Sequence, residues 1–522
     1  MNQSTRQNIL WADDQIDLLK PHILFLEEKG YAVEGVANGD DALALIEEKN
    51  FDLLLLDEVM PGKSGIETLS EVRKLMPSLP VIMITKSGEE SLMNEALGGQ
   101  VEDFLVKPVN PVQIFSAIKR LFEGRKIQES QMTQRYVSDY RPISMESMDL
   151  VDWQRWMEVN RFLVDWDLRL DEFEDSGLEQ THRDLRRDLN MTFGRYVESN
   201  YPKWMKAEYP DRPLMSPDIF GDVVQPYIEA GRQVYYIVID CMRLDQWKVI
   251  EDLLTPFFNI QVEDYFAILP TATPYARNSL FAGLWPDEIA DQLPQYWLED
   301  PREELSLNRF ERQLMQEKLK RCGLGDRKFK YVKVSNISAA NELYRQIGSF
   351  RQIPFVALVF NFLDILAHGR SQSEILQEIA PDESAFRSLM ISWFRHSALF
   401  DILKSLARSG ALVVLTSDHG SVFCQRSALV QGNRDTSSGI RYKYGDNLGC
   451  DPKQTLKVMS PRDWHLPWNR KTKNYIFARE NFYFVYPTNF HDYEKRYRGS
   501  FQHGGLSLEE MIVPCAILDP KG

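Results

Sequence analysis

The chain predicts an α/β protein in three parts: a parallel (βα)5 unit over 1–124, a helical connector over 125–210 and a larger α/β unit over 211–522. Three observations predict this. Strand-length apolar runs alternate with helix-length segments at both ends of the chain. The stretch between them carries a helical seam and no strand-like run. The apolar runs end repeatedly on Asp, Thr or His, and parallel sheets collect their chemistry at those carboxyl ends.

In the first unit "NILWAD" reads as a strand and "QIDLLKPHILFLEEKG" as a helix ending at Gly30. "YAVEGVA", "FDLLLLDEV", "LPVIMITK" and "VEDFLVKP" supply four more strands, with "GDDALALIEEKN" and "NPVQIFSAIKRLFEG" among the helices. Asp13 and Asp14 close the first strand, Asp57 the third and Thr85 the fourth, and Lys107 precedes a proline after the fifth. Three carboxylates on one edge suit Mg²⁺, which prefers oxygen ligands. One of them can act as nucleophile on a phosphoryl donor, with Lys107 neutralising charge and Thr85 bonding a phosphoryl oxygen.

The pattern DD…D…T…KP resembles the flavodoxin-like receiver domain of two-component response regulators. The resemblance implies Asp57 as phosphoacceptor for a sensor histidine kinase, and Mg²⁺ on Asp14 and Asp57 with Asp13 nearby. It also implies Phe104 as the switch aromatic. Gln15 departs from it, standing where the family often carries another acid.

In the connector, Trp156, Val159, Leu163, Trp166, Leu170 and Phe173 repeat at 3-4-3-4-3 spacing, an a/d seam on one helix face. A second helix, 181–205, is expected after a break at Gly177. Either a dimerising, signal-transmitting rod or a packed spacer fits this pattern, and His182 reads as a helix-surface residue.

From about 215 the alternation returns. "RQVYYIVID" ends at Asp240, "YFAILPTATPYARNSLFAGLWP" runs through a Pro/Thr turn into a helix, and "PFVALVFNFLDILAHG" leads into Asp364 and His368. "ALVVLTSDHG" ends on Asp418 and His419, and "SFQHGG" places His503 in a glycine-flanked loop. Asp364 and His368 are i,i+4 neighbours and face one way on a helix. Gly420 permits a sharp bend beside Asp418 and His419. Counted together, Asp240, a turn threonine, Asp418 and His419 suit one metal, and Asp364, His368 and His503 suit another. Zinc takes such N and O ligands, and two ions clamp the oxygens of an in-line displacement.

This order resembles the alkaline phosphatase superfamily, most closely its PglZ-type branch, over about 215–520. The resemblance implies a two-zinc site with a threonine nucleophile that forms a phospho-enzyme. Spacing in related hydrolases, ten residues before the helix glycine, selects Thr273 before Gly283, with Arg277 four residues on. Thr271 remains the competitor. The segment 425–447, with Arg426, Arg434, Arg441 and Lys443, is expected to be a long loop, either a clamp on which Arg441 and Lys443 bind a phosphoester substrate or a solvated loop.

The composition is that of a soluble globular protein, 43% hydrophobic and 26% charged over 522 residues. A formal charge of −15 argues against direct duplex DNA binding. Acids outnumber bases about two to one over residues 1–124. Five scattered cysteines without CxxC spacing suit a reduced, cytoplasmic protein. The longest apolar run, 355–367, is too short to insert in a membrane and carries Asp364.

Receiver, helical connector and PglZ-like hydrolase in one chain resemble the PorX-type response regulators linked to type IX secretion in Bacteroidetes. The expected activity is a phosphorylation-controlled, zinc-dependent phosphodiesterase on nucleotide or oligonucleotide phosphoesters, with a phosphorylation-promoted homodimer. A phosphomonoesterase or sulfatase is the rival chemistry. The alternative in kind is a phosphorylation-gated binding module that engages a sigma factor or secretion component with little or no catalysis.

Overall fold

Four leucines and an aspartate, Leu53–Asp57, are buried at every position, which requires apolar layers on both faces of a sheet. The computed structural model describes residues 6–86, 101–144, 152–172, 176–297, 308–370, 373–432, 439–468 and 474–521. It divides into two compact units, Met1–Val137 and Ser138–Gly522.

In the first unit β1 (Asn8–Ala12), β2 (Ala32–Val36), β3 (Leu53–Asp57), β4 (Val81–Thr85) and β5 (Asp103–Val106) form one parallel sheet in the order β2-β1-β3-β4-β5. Alternate residues feed two cores: Leu10, Leu54, Leu56 and Met83 on one face, Ile9, Trp11, Leu55 and Ile84 on the other. The segment expected as one helix after β1 begins as a 3-10 turn, Ile16–Leu19, and becomes α-helical at Lys20–Glu28. Pro21 sits in the first α-helical turn, where its missing N–H costs nothing. Ser64 and Glu67 form a reciprocal capping box at the start of the helix Gly65–Leu75.

The helix after β5 runs from Pro111 to Ser144. The connector helices Trp153–Asp171 and Ser176–Trp204 belong to the second unit. Trp156, Val159, Leu163, Trp166 and Leu170 of the seam are buried, while Phe173 lies outside the described residues. Trp156 meets Phe193 edge-on at 5.2 Å, and Trp204 meets Phe266 at 5.3 Å. These helices therefore share a core with the catalytic-sized sheet.

Two expectations are corrected here. Gly177 does not break the chain; it is the second residue of the helix Ser176–Trp204, where first-turn N–H groups have no helical partner to lose. His182 is not a surface residue. It is buried, with Nε2 3.2 Å from the Leu163 carbonyl and 3.1 Å from Asp167.

The second unit's main sheet uses β6 (Val234–Ile239), β7 (Phe258–Phe266), β8 (Phe329–Val334), β9 (Phe355–Phe360) and β10 (Leu412–Thr416). Around it lie β11 (Val422–Cys424), β12 (Arg426–Gln431), β13 (Tyr442–Gly445), β14 (Gly449–Cys450), β15 (Thr455–Val458), β16 (Asn474–Ala478), β17 (Phe482–Val485) and β18 (Ser500–Gln502). With the last strand, β19 (Ile512–Pro520), the six-stranded order is β7-β19-β10-β6-β9-β8. β19 runs antiparallel to both its neighbours. The segment expected as a long loop, 425–447, is partly sheet: Ala428 and Val430 of β12 point inward, and β13 pairs with β16. Among the described residues, no helix is long and apolar enough to cross a membrane.

Candidate active site

The carboxyl ends of β6, β7, β9 and β10 bring the expected residues to one edge. Asp240 follows β6 directly, and its N–H donates to the Phe360 carbonyl at the end of β9. Beyond β7 the chain turns through Thr271 into the helix Thr273–Ala282, which Gly283 ends at φ +57°. Asp364 and His368 stand one turn apart on the helix Phe362–Arg370. Asp418 and His419 follow β10. Gly420 has a reason other than the sharp bend expected: a Cβ there would lie 1.9 Å from the Glu509 carbonyl oxygen, so only glycine allows the approach. His503 follows β18 and precedes Gly504, whose φ of +110° suits glycine.

Two triads result, and within each, one ligand atom from every residue lies within 4.8 Å of the others: Asp240, Asp418 and His419, and Asp364, His368 and His503. The first triad is buried; the second is half-exposed, with the His368 side chain 43% accessible. The rings of His419 and His503 stack at 4.3 Å and bring the triads together. Thr273 Oγ1 lies 3.4 Å from Asp240 Oδ1 and 3.1 Å from His419 Nε2. Thr271 Oγ1 instead donates to the Gly505 carbonyl at 2.7 Å and accepts from the Gly504 N–H at 3.2 Å.

Charge in this pocket is unbalanced. Burial pushes Asp240 up to about 7, against the pull of Arg277, and burial also raises Asp418. Burial pushes His419 down to about 3. Burial opposes the charge of His503 too, but hydrogen bonding to Asp364 overrides it and lifts His503 to about 9. Asp364 is also penalised by burial, yet its two histidines hold it well below the usual carboxylate range. Asp418 Oδ2 is buried and accepts no hydrogen bond. Buried carboxylates short of cations and an orphaned oxygen, with imidazoles beside them, fit divalent metal ions bound through N and O.

Arg277 is 1% exposed. Its Nη1 lies 2.7 Å from Asp240 and its Nε 2.7 Å from Glu311. The arginine expected in catalysis is thus committed beneath the first triad, where it balances Asp240 and does not reach solvent. Arg441 and Lys443 require correction as substrate clamps. Arg441 is wholly buried and forks onto Glu510 at 2.8 and 2.6 Å, and Lys443 is 2% exposed with its ammonium over the Tyr486 ring. Arg434 lies outside the described residues. Sequence reading missed Glu311, a lone acid opening the helix Glu311–Arg321, and Glu510, whose Ser507-x-x-Glu510 spacing signals a helix start but not a contact with Arg441.

In the first unit Asp13, Asp14 and Asp57 place their oxygens within the same 4.8 Å limit. Lys107 Nζ is 2.9 Å from Asp13 Oδ2 and 2.9 Å from Asp57 Oδ2. Burial raises Asp57, with Lys107 opposing. Asp57 Oδ1 is buried without a hydrogen bond, so this carboxylate set also fits a cation. Thr85 donates to Glu58, a partner the sequence did not indicate. Phe104 is half-buried against the core on one face of the sheet.

Three family models match in succession: the response regulator receiver domain over residues 9–119, the PorX response regulator linker domain over 126–205, and the BREX system PglZ alkaline phosphatase-like domain over 219–517. Transcriptional regulatory protein ResD of Bacillus subtilis (strain 168) is 36% identical over 121 residues, 23% of this chain and 50% of that protein. Transcriptional regulatory protein SrrA of Staphylococcus aureus is 26% identical over 142 residues, 27% of this chain and 58% of that protein. The chain thus spans about half the length of these curated relatives. A CheY-like receiver from Methanospirillum hungatei JF-1 is 31% identical with a TM-score of 0.23, covering 24% of this chain and 99% of its own. The chemotaxis protein CheY4 of Vibrio cholerae is 31% identical at 0.21, covering 22% and 98%. With the PglZ match covering more than half of its length, the chain belongs to the PglZ alkaline phosphatase-like family, in the domain arrangement of a PorX-type response regulator.

Proposed function

We propose that the PglZ domain is a zinc-dependent phosphodiesterase acting on nucleotide or oligonucleotide phosphoesters, controlled by phosphorylation of Asp57. One observation carries this reading: the Thr273 hydroxyl lies beside Asp240 and His419 where two N/O triads adjoin. Asp240, Asp418, His419 and Thr273 would hold one ion, and Asp364, His368 and His503 the other. Bound zinc supplies a lowered hydroxyl pKa and neutralises phosphoryl charge. Thr273 Oγ1 loses its proton and forms a bond to phosphorus as the ester P–O bond breaks, and the leaving oxygen takes up a proton to depart as the alcohol. Water then attacks phosphorus, the Thr273 O–P bond breaks and Thr273 regains a proton from that water. Thr273 opens a ten-residue helix, whose free N–H groups favour an anion there. Among the described residues no third cluster joins the two triads, and the diester reading takes the site to hold two ions and no third charge.

In the receiver, Asp13, Asp14 and Asp57 would hold Mg²⁺ while Asp57 takes a phosphoryl group from a sensor histidine kinase. The linker match supports the wider PorX-type reading: a cytoplasmic protein that dimerises on phosphorylation and regulates type IX secretion. The test uses zinc-loaded full chain with a nitrophenyl phosphodiester and the matching monoester. Thr273→Val is expected to lower kcat at least about 10³-fold on the diester, while Thr271→Val retains turnover at saturating zinc. If the zinc-loaded wild type turns over no ester, whether phosphorylated or not, the enzyme reading falls and the binding-module reading takes its place.

A further inference from the structure

Glu510 is fully buried, and it reaches both segments that carry the metal-facing residues, the His503 loop through one carboxylate oxygen and the His419 loop through its main-chain oxygen. Its Oε1 accepts from the Gly505 N–H at 2.8 Å, two residues beyond His503. Its main-chain oxygen accepts from the Gly420 N–H at 3.0 Å, one residue beyond His419. Oε2 accepts from Ser507 Oγ at 2.8 Å, and Arg441 forks onto both carboxylate oxygens. The fit leaves no slack: a Cβ on Gly505 would lie 2.5 Å from Arg441 Nη2. Thr271, whose hydroxyl bridges Gly504 and Gly505, lies 3.5 Å from Glu510 Oε1 and holds the same loop from the other side.

A second grip comes from the linker helix Ser176–Trp204. Asn190 is 5% exposed, in a helix interior where asparagine is a poor helix former. Its Oδ1 accepts from the Leu508 N–H at 2.8 Å, and its Nδ2 donates to both Glu509 oxygens at 3.1 Å. Arg186, one turn earlier, pairs with Glu509 at 2.9 Å. Six polar contacts thus tie one short segment to the linker and to two loops more than 80 residues apart in sequence. That is more buried polar commitment than capping a four-residue helix, Leu508–Met511, requires.

We propose that Glu510 is a positioning residue shared by the two metal triads, and that Asn190 of the linker sets where it stands. The proposal rests on the reading of those triads as metal ligands. It makes the linker a part of the site's geometry, acting through residues 508–510 upon His419 and His503 without touching substrate.

The experiment compares wild type, Glu510→Gln, Asn190→Ala and, as a control on the exposed face of the same helix, Arg187→Ala, all as full-length protein. Hydrogen exchange is followed by mass spectrometry over 418–421 and 503–506, with the β8 and β9 peptides as an internal standard, and zinc affinity is titrated in parallel. Asn190→Ala, which loosens the whole 508–510 segment, is expected to speed exchange at both loops about tenfold or more while the standard peptides hold. Glu510→Gln, which keeps the main-chain bond to Gly420, is expected to do so over 503–506, and both are expected to weaken zinc at least about tenfold. Arg187→Ala is expected to match wild type. Unchanged exchange at either loop in both variants, or acceleration spread equally over the standard peptides, overturns the proposal. Wild-type protein that binds no zinc would sink the metal reading, while the exchange result would still decide whether Glu510 joins the two loops.

Discussion

Arg277 illustrates how one residue can be necessary to a site without facing it. A guanidinium at 1% exposure is tolerable only because Asp240 and Glu311 lie 2.7 Å away on two sides. Removing one partner of such a pair leaves the others uncompensated, at a typical cost of about 3–5 kcal/mol. Arg277→Met is therefore expected to lower unfolding free energy by about that amount in urea titrations of metal-free protein. Arg277→Lys should recover only part of it, because an ammonium cannot fork between two carboxylates. A methionine variant as stable as wild type would mean that the pair contributes nothing. The two threonines teach a related lesson. Sequence offered both because an alanine alone separates them, and the choice of Thr273 over Thr271 rested on spacing in related hydrolases. Their difference is in the turn: Thr273 opens a helix and faces Asp240, while Thr271 spends its hydroxyl on the His503 loop. No spacing rule within the chain encodes which of two hydroxyls a distant loop will claim.

The linker helices bury charge as well as tryptophan. Asp167 meets Arg186 and His182; Arg387 joins Asp171 to Asp245; Arg243 joins Asp245 to Glu383. Burial penalises these carboxylates, but the arginines outweigh it: Asp245 is held down at about 2, and Asp167 and Glu509 are also lowered. A carboxylate depressed in the folded state stabilises it above the unfolded value, near 4, and the stabilisation disappears as pH falls through the folded value. The unit Ser138–Gly522 is thus expected to lose stability steeply between about pH 4 and pH 2. Arg387→Met should move the midpoint of acid unfolding upward, as followed by circular dichroism; a midpoint that stays put would remove the network from the account. Legibility at this scale was one-sided. The a/d seam was readable because apolar periodicity is local. The burial of the opposite, polar face was not, since Arg387 and Glu509, the partners of Asp171 and Arg186, come from other parts of the chain.

Across the whole molecule, the ligands were legible because a parallel sheet converts a sequence pattern into a place. Apolar runs that end in Asp or His deliver Asp240, Asp364, His368, Asp418 and His419 to the same edge, whereas His503 arrives from the small β11-β18 sheet. What the pattern could not carry was the direction of β19, which enters the middle of the sheet reversed, or the small sheets that absorb Arg441 and Lys443. The two units give the last prediction. Met1–Val137 and Ser138–Gly522 each own a core and a carboxylate-bearing site, so calorimetry is expected to resolve two transitions. A ligand present at 100 times its Kd stabilises the unit that binds it by about 2.7 kcal/mol. Zinc should therefore raise the transition of the larger unit, and beryllofluoride with Mg²⁺ that of the smaller. Control of the output by phosphorylation demands more. If beryllofluoride changes zinc affinity by some factor, zinc must change beryllofluoride affinity by the same factor, because binding free energies close a cycle. Coupling of the usual size, about 1–3 kcal/mol, makes that factor about 5–150. Two titrations measure it from both directions, and equal factors above about five are expected. A factor of one in both directions would leave the receiver and the metal site as independent devices on one chain, and phosphorylation would then have to act by a route other than metal affinity.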